Sequence, residues 1–81
     1  VSKPVELREK LAEQEHAQWA HWTKYMLEQL GLWKGDPGQR SDLARWRRQC
    51  NTSYADLTEM EKDSDRMWAD KTLEVLREHM Q

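Results

Sequence analysis

Residues 4–30 read PVELREKLAEQEHAQWAHWTKYMLEQL, and this stretch decides the fold class. Leu7, Leu11, Trp19, Trp22, Met26 and Leu30 recur at spacings of three, four or eight, which places them on one stripe of a long amphipathic helix. Ser2 suits the N-cap. Pro4 is tolerated in the first turn because its missing N–H would be unpaired there in any case. Gly31 suits the left-handed position that ends a helix. Glu15 falls in a gap of the stripe, either at the margin of the core or as a partly buried carboxylate.

Beyond Gly31 the pattern breaks. Gly35-Asp36-Pro37-Gly38 is turn chemistry, so residues 31–40 form a loop, with Leu32 and Trp33 folding back on the core. Ser41 or Asp42 is expected to cap a short second helix over residues 43–50. Leu43, Trp46, Arg47 and Cys50 share one of its faces, and Asn51-Thr52-Ser53 ends it. Residues 54–57 make a linker of about one helical turn. Thr58 and Glu61 have the spacing of a capping box, in which hydroxyl and carboxylate each satisfy a free backbone N–H. They predict a third helix over residues 59–79. Its buried face is expected at Ser64, Trp68, Thr72, Val75 and His79, widened by Met67 and Leu76.

Composition agrees with helices alone. The chain has 81 residues, no Phe and 35% charged residues. Ile is absent, while Leu, Glu, Lys, Arg, Gln, Ala and Met dominate, which favours helix over strand. The expectation is an all-α domain over residues 1–81: a small bundle of two long antiparallel helices plus a short helix and loop. Aliphatic residues are scarce, so the core is expected to rely on tryptophan, most simply Trp19, Trp22, Trp33 and Trp68. Five Trp exceed what three helices need, and one or two are expected to line a groove edged by Arg, with Tyr25 or Tyr54 at its rim. No apolar run is long enough to span a membrane. No apolar leader segment is visible at the start. The single Cys50 cannot form an internal disulfide, so a reducing, cytoplasmic setting is expected.

Net charge is −2, but it is unevenly spread. Residues 31–55 carry five basic and two acidic groups, whereas residues 56–81 carry four basic and eight acidic ones. Arg40, Arg45, Arg47 and Arg48 surround Trp46. Arginine beside an exposed aromatic binds phosphate plus a stacked base, although such clusters are often only solvated faces, and Trp46 also suits the core. General nucleic-acid binding is not expected from an acidic domain.

Other residue patterns look familiar. Leu11-Ala12-Glu13, His16 and Trp19-Ala20, followed by Tyr54, Leu57, Glu61-Lys62 and Asp65-Arg66, resemble the opening and closing motifs of the RyR domain, the ryanodine-receptor repeat. The intervening segment, with Arg45-Trp46-Arg47-Arg48 where receptor repeats carry a Gly-Pro segment and a His-Pro pair, looks like the short stand-alone members of bacteria and their phages. The resemblance implies a peripheral binding module. For prokaryotic members it implies nucleotide-derived ligands. It also makes Asp65 a candidate partner for His16, as a structural ion pair or a ligand contact.

Two functional expectations follow. The first is a non-catalytic module recognising a small anionic, nucleotide-like ligand. Arg45 and Arg48 would neutralise phosphate, Trp19 or Tyr54 would stack on the base, and Glu13 and His16 would bond a hydroxyl or ring edge. The second is an accessory module docking on a host or partner protein, with a homodimer through the long helices left open. An enzyme is not expected. Cys50 has no base placed beside it, and neither a phosphate loop nor a nucleophile elbow occurs. No cofactor is expected. Glu13 and His16 share a helix face, but a metal would need further ligands from other helices, and a packing role for His16 is the simpler reading.

Overall fold

The computed structural model describes residues 3–80. Helix α1 covers Lys3–Gln29, α2 covers Ser41–Cys50, a single 3₁₀ turn covers Tyr54–Asp56, and α3 covers Glu59–His79. There is no strand among the described residues, and the fold is an all-α bundle. Arg8 meets Asp70 and His16 meets Asp65, so the long helices α1 and α3 run antiparallel. The molecule is thin, with extents of 50 × 24 × 16 Å. No described helix is long and apolar enough to cross a membrane.

Local signals account for the helix ends. The Gly31 N–H bonds the Glu28 carbonyl and the Leu32 N–H bonds the Leu27 carbonyl at 2.7 Å, with Gly31 at φ 71°. This 6→1 and 5→2 pair closes α1 and needs the left-handed backbone that glycine adopts without strain. Asp36 Oδ1 accepts from the Gly38 N–H at 2.9 Å and tightens the next turn. At the start of α3 the Thr58 hydroxyl accepts from the Glu61 N–H, and the Glu61 carboxylate accepts from the Thr58 N–H, so the capping box forms. Ser2, suited to cap α1, lies outside the described residues. Helix α2 starts two residues before Leu43, with Arg40 at the cap position and no side-chain cap bond. Ser41 and Asp42 are therefore inside the helix, where the Asp42 charge faces the positive helix end and pairs with Arg40 at 3.3 Å.

The core differs from the expected tryptophan core. Its cluster is Ala12, Tyr54, Leu57 and Ala69, with Leu11 packed against it. Ala12 and Ala69 are both 0% exposed. Two alanines let the backbones of α1 and α3 approach closely, and larger side chains flank that contact instead of filling it. Consequently Leu7, Trp22, Met26 and Leu30 of the expected α1 stripe are exposed, while Ala12, His16 and Leu27 are buried. On α3, Ser64, Trp68, Val75, His79, Met67 and Leu76 are exposed, and Ala69 is buried. None of the five Trp is fully buried. One short helix beside a 27-residue one cannot cover all of its sides, so part of the apolar stripe stays in water.

Charged side chains fasten the bundle where aliphatics are missing. Arg66 Nε and Nη2 hold Glu9 Oε1 at 2.9 and 2.7 Å, and Nη1 holds Glu59 and Asp63 at 2.9 and 2.8 Å. The Tyr54 hydroxyl donates to the other Glu9 oxygen. Three segments, α1, the 3₁₀ turn and α3, thus meet at one carboxylate. Burial, and then Glu9, push the Tyr54 phenol up to about 12.

Candidate functional site

An open groove of about 750 Å³ lies among α1, α2 and α3. Its walls carry Trp19 and Trp22 from α1, Trp46 from α2 and Trp68 from α3. Helical spacing produces this. Trp19 and Trp22 are three apart on α1, and each of the other helices contributes one indole beside its buried contact. Trp22 is 60% exposed and Trp68 is 51% exposed, so their rings are available to a ligand. Trp19 stacks on the buried His16 ring with centroids 6.0 Å apart, which fixes its plane.

Of the expected site residues, the fold brings together His16, Trp19 and Arg45 at the groove. Glu13 is exposed on α1 outside it. Tyr54 is buried in the core with its hydroxyl on Glu9, so it does not present a stacking face to the groove. Arg48 pairs with Glu61 and is engaged structurally. Arg47 donates to the Leu32 and Gly35 carbonyls at 2.9 and 2.7 Å and clasps the loop against α2. Among the arginines around Trp46, Arg45 alone has no hydrogen bond or ion pair within the described residues and lines the groove. The expected four-arginine patch therefore reduces to one available cation.

His16 performs a structural task. Its Nε2–H donates to the Thr52 carbonyl at 2.6 Å, tying α1 to the end of α2, and Nδ1 faces Asp65 Oδ2 at 3.7 Å. A carbonyl only accepts, so Nε2 carries a proton. Its carboxylate neighbour was legible as the first residue of the Asp65-Arg66 pair.

Three carboxylates also line the groove: Glu15, Glu61 and Asp65. Glu61 accepts from Arg48, from Gln49 at 2.8 Å and from the Thr58 N–H, and these contacts, Arg48 first, hold its carboxyl down at about 2. Asp65 differs: burial pushes its carboxyl above the usual range, and the His16 ring opposes that only in part. The sequence did not single out Glu15 or Asp65 as parts of a groove with Trp22, Trp46 and Trp68. The excess of tryptophan did point to a groove with one or two Trp; the structure places four there and neither Tyr25 nor Tyr54.

Elsewhere the reactive groups are quiet. Burial raises the Cys50 thiol, with Lys24 acting against it. No trio of His, Cys, Asp or Glu among the described residues is grouped to hold a metal ion. What the fold and groove define is a three-helix module with an aromatic cleft. Comparison with known proteins adds no match, for no family model, no curated protein and no solved structure is significantly similar to the chain.

Proposed function

We propose that the chain is a non-catalytic binding module of RyR-domain type and that the tryptophan groove receives a small nucleotide-like ligand. The observation that carries this reading is the convergence of four of the five Trp on one open cleft beside Arg45, a cation without a partner among the described residues. Flat heteroaromatic rings stack on indoles with about 1–3 kcal/mol per base. Arg45 then meets the phosphate through a forked, charge-assisted bond. Arg48 and Tyr54 take no direct part. The remaining groove residues contact the ring edge.

The test is titration of the chain with nucleoside monophosphates and their nucleosides, followed by tryptophan emission and melting temperature. Nucleotides are expected to shift both. Arg45→Gln is expected to weaken nucleotides by roughly tenfold, the worth of one charge-assisted hydrogen bond, and to leave nucleosides unchanged. No shift with any nucleotide removes the reading.

Protein docking is the second reading. It draws support from Trp22, Tyr25 and Met26 on the second half of α1 and Leu30 just past its end, which are 53–67% exposed on a chain of modest size.

A further inference from the structure

Asp65 is an acceptor without donors among the described residues. Its side chain is only 16% exposed, and the nearest ring nitrogen, His16 Nδ1, stands at 3.7 Å, beyond hydrogen-bond distance. Carboxylates this enclosed are normally bonded. No described residue donates to Asp65, and the forces acting on its carboxyl are burial, His16 and the like charge of Glu15. No fully enclosed side-chain oxygen among the described residues lacks a partner, so the unpaired oxygens of Asp65 are those open to the groove. Glu15 lines the same wall and likewise receives no hydrogen bond from the described residues. Glu61, the third carboxylate, is already occupied by Arg48, Gln49 and Thr58.

A ring entering this cleft must therefore bring N–H groups. Adenine presents an amino group beside a bare ring nitrogen, whose lone pair would face a carboxylate oxygen. Guanine presents a ring N–H and an amino group side by side, which match the two oxygens of one carboxylate. Hypoxanthine has the ring N–H alone. A guanidinium would also offer two donors and would stack on indole. It would, however, bring no acceptor to Arg45, which has no hydrogen bond or ion pair within the described residues. A ligand with a donor edge at one end and an anion at the other satisfies both.

We propose that the groove selects a guanine-type base, its ring N–H and 2-amino group on Asp65 with Glu15 alongside, its ring between indoles and its phosphate toward Arg45. The proposal rests on the nucleotide reading above and specifies the base. The same carboxylate rejects adenine by leaving two acceptors face to face.

The experiment titrates the unmodified chain with GMP, IMP, AMP and Nα-acetylargininamide, read by tryptophan emission. GMP is expected to bind about 10- to 100-fold more tightly than AMP, the discrimination of one bidentate pair, with IMP between them. Asp65→Asn is expected to bring GMP and AMP to similar affinity with an unchanged circular dichroism spectrum. Should that variant not fold, the ranking on the unmodified chain still decides. AMP binding as tightly as GMP overturns the base assignment and leaves the nucleotide reading standing. Loss of all nucleotide binding overturns both. An arginine derivative binding more tightly than GMP overturns the base assignment by giving Asp65 to a guanidinium.

Discussion

Replacing Ala69 by Leu is expected to lower the melting temperature by roughly 5–20 °C, although leucine is the larger hydrophobe and almost as good a helix former as alanine. Ala69 and Ala12 are fully enclosed on facing helices, and the core cluster joins them to Tyr54 and Leu57. Three added carbons have nowhere to go unless α1 and α3 separate. Overpacking of this kind costs about 1–3 kcal/mol, a large share of the stability of a small domain. Moving the helices apart would also stretch the Arg66–Glu9 and Arg8–Asp70 ties. Ala12→Leu is expected to behave alike. Trp22→Ala supplies the contrast. It removes a far larger side chain, yet that indole is 60% exposed, so a change within about 0.5 kcal/mol is expected. Thermal unfolding followed by circular dichroism measures all three. A greater loss from Trp22→Ala than from Ala69→Leu would mean that the indoles hold the bundle after all.

The same alanines explain why helices were legible in the sequence and their inner faces were not. Helix ends depend on neighbours in the chain. Gly31 closes α1 through its own φ, and Thr58 with Glu61 opens α3 through a three-residue box, so residues 59–79 come out of the sequence unchanged. A buried face depends on what stands opposite. Large hydrophobics dominate any periodicity count, and they place the core of α3 on Trp68 and Val75. The close approach at Ala69 turns the neighbouring Asp65, Arg66, Thr72 and Leu73 toward α1 and leaves Trp68 and Val75 more than half exposed. Charged inward positions are stable only because Glu9 and His16 wait across the interface. Pairings between residues 9 and 66, or 16 and 65, leave no trace in local spacing. An Arg-edged aromatic groove was legible from the number of Trp and the arginines near Trp46, but its walls were not, because its indoles come from three helices. The residues that carry the RyR resemblance can be placed physically. Ala12 and Leu57 are core, His16 ties α1 to Thr52, Tyr54 and Arg66 share Glu9, and Glu61 caps α3. The motif thus coincides with the ties among the helices, while the cleft walls at Trp22, Trp46 and Trp68 lie outside it.

Arg66→Met is expected to destabilise the bundle by about 2–3 kcal/mol at neutral pH, the loss of charge-assisted bonds at a mostly enclosed guanidinium, and to flatten its acid unfolding. Methionine keeps the packing of the aliphatic stem but leaves Glu9 with only the Tyr54 hydroxyl and Glu59 with only Lys62, and frees Asp63. Arg66 is the leading cause that holds the Glu9 and Glu59 carboxyls below their ordinary value, as Arg48 is for Glu61. A carboxyl lowered by folding contributes stability that is complete above its unfolded value and disappears as pH falls through its folded one. For Glu61 that window runs from 4.5 down to about 2. Asp65 works in the opposite sense. Its carboxyl is raised by burial, so its charge opposes folding at neutral pH, and protonation relieves that penalty as pH falls. Melting temperature of the unmodified chain is therefore expected to drop below pH 4.5, with the Glu9, Glu59 and Glu61 losses exceeding the single Asp65 gain. In Arg66→Met the largest part of the Glu9 and Glu59 share of the slope is gone, and the Arg48–Glu61 share remains. Removing that as well, with Glu61→Gln in the same chain, leaves Asp42 and Asp70 as lowered carboxyls set against the raised Asp65, and should make the slope shallower still. An Arg66→Met chain whose melting temperature falls with acid as steeply as the unmodified one would show that the Glu9–Arg66 tie does not set the acid limit of this fold.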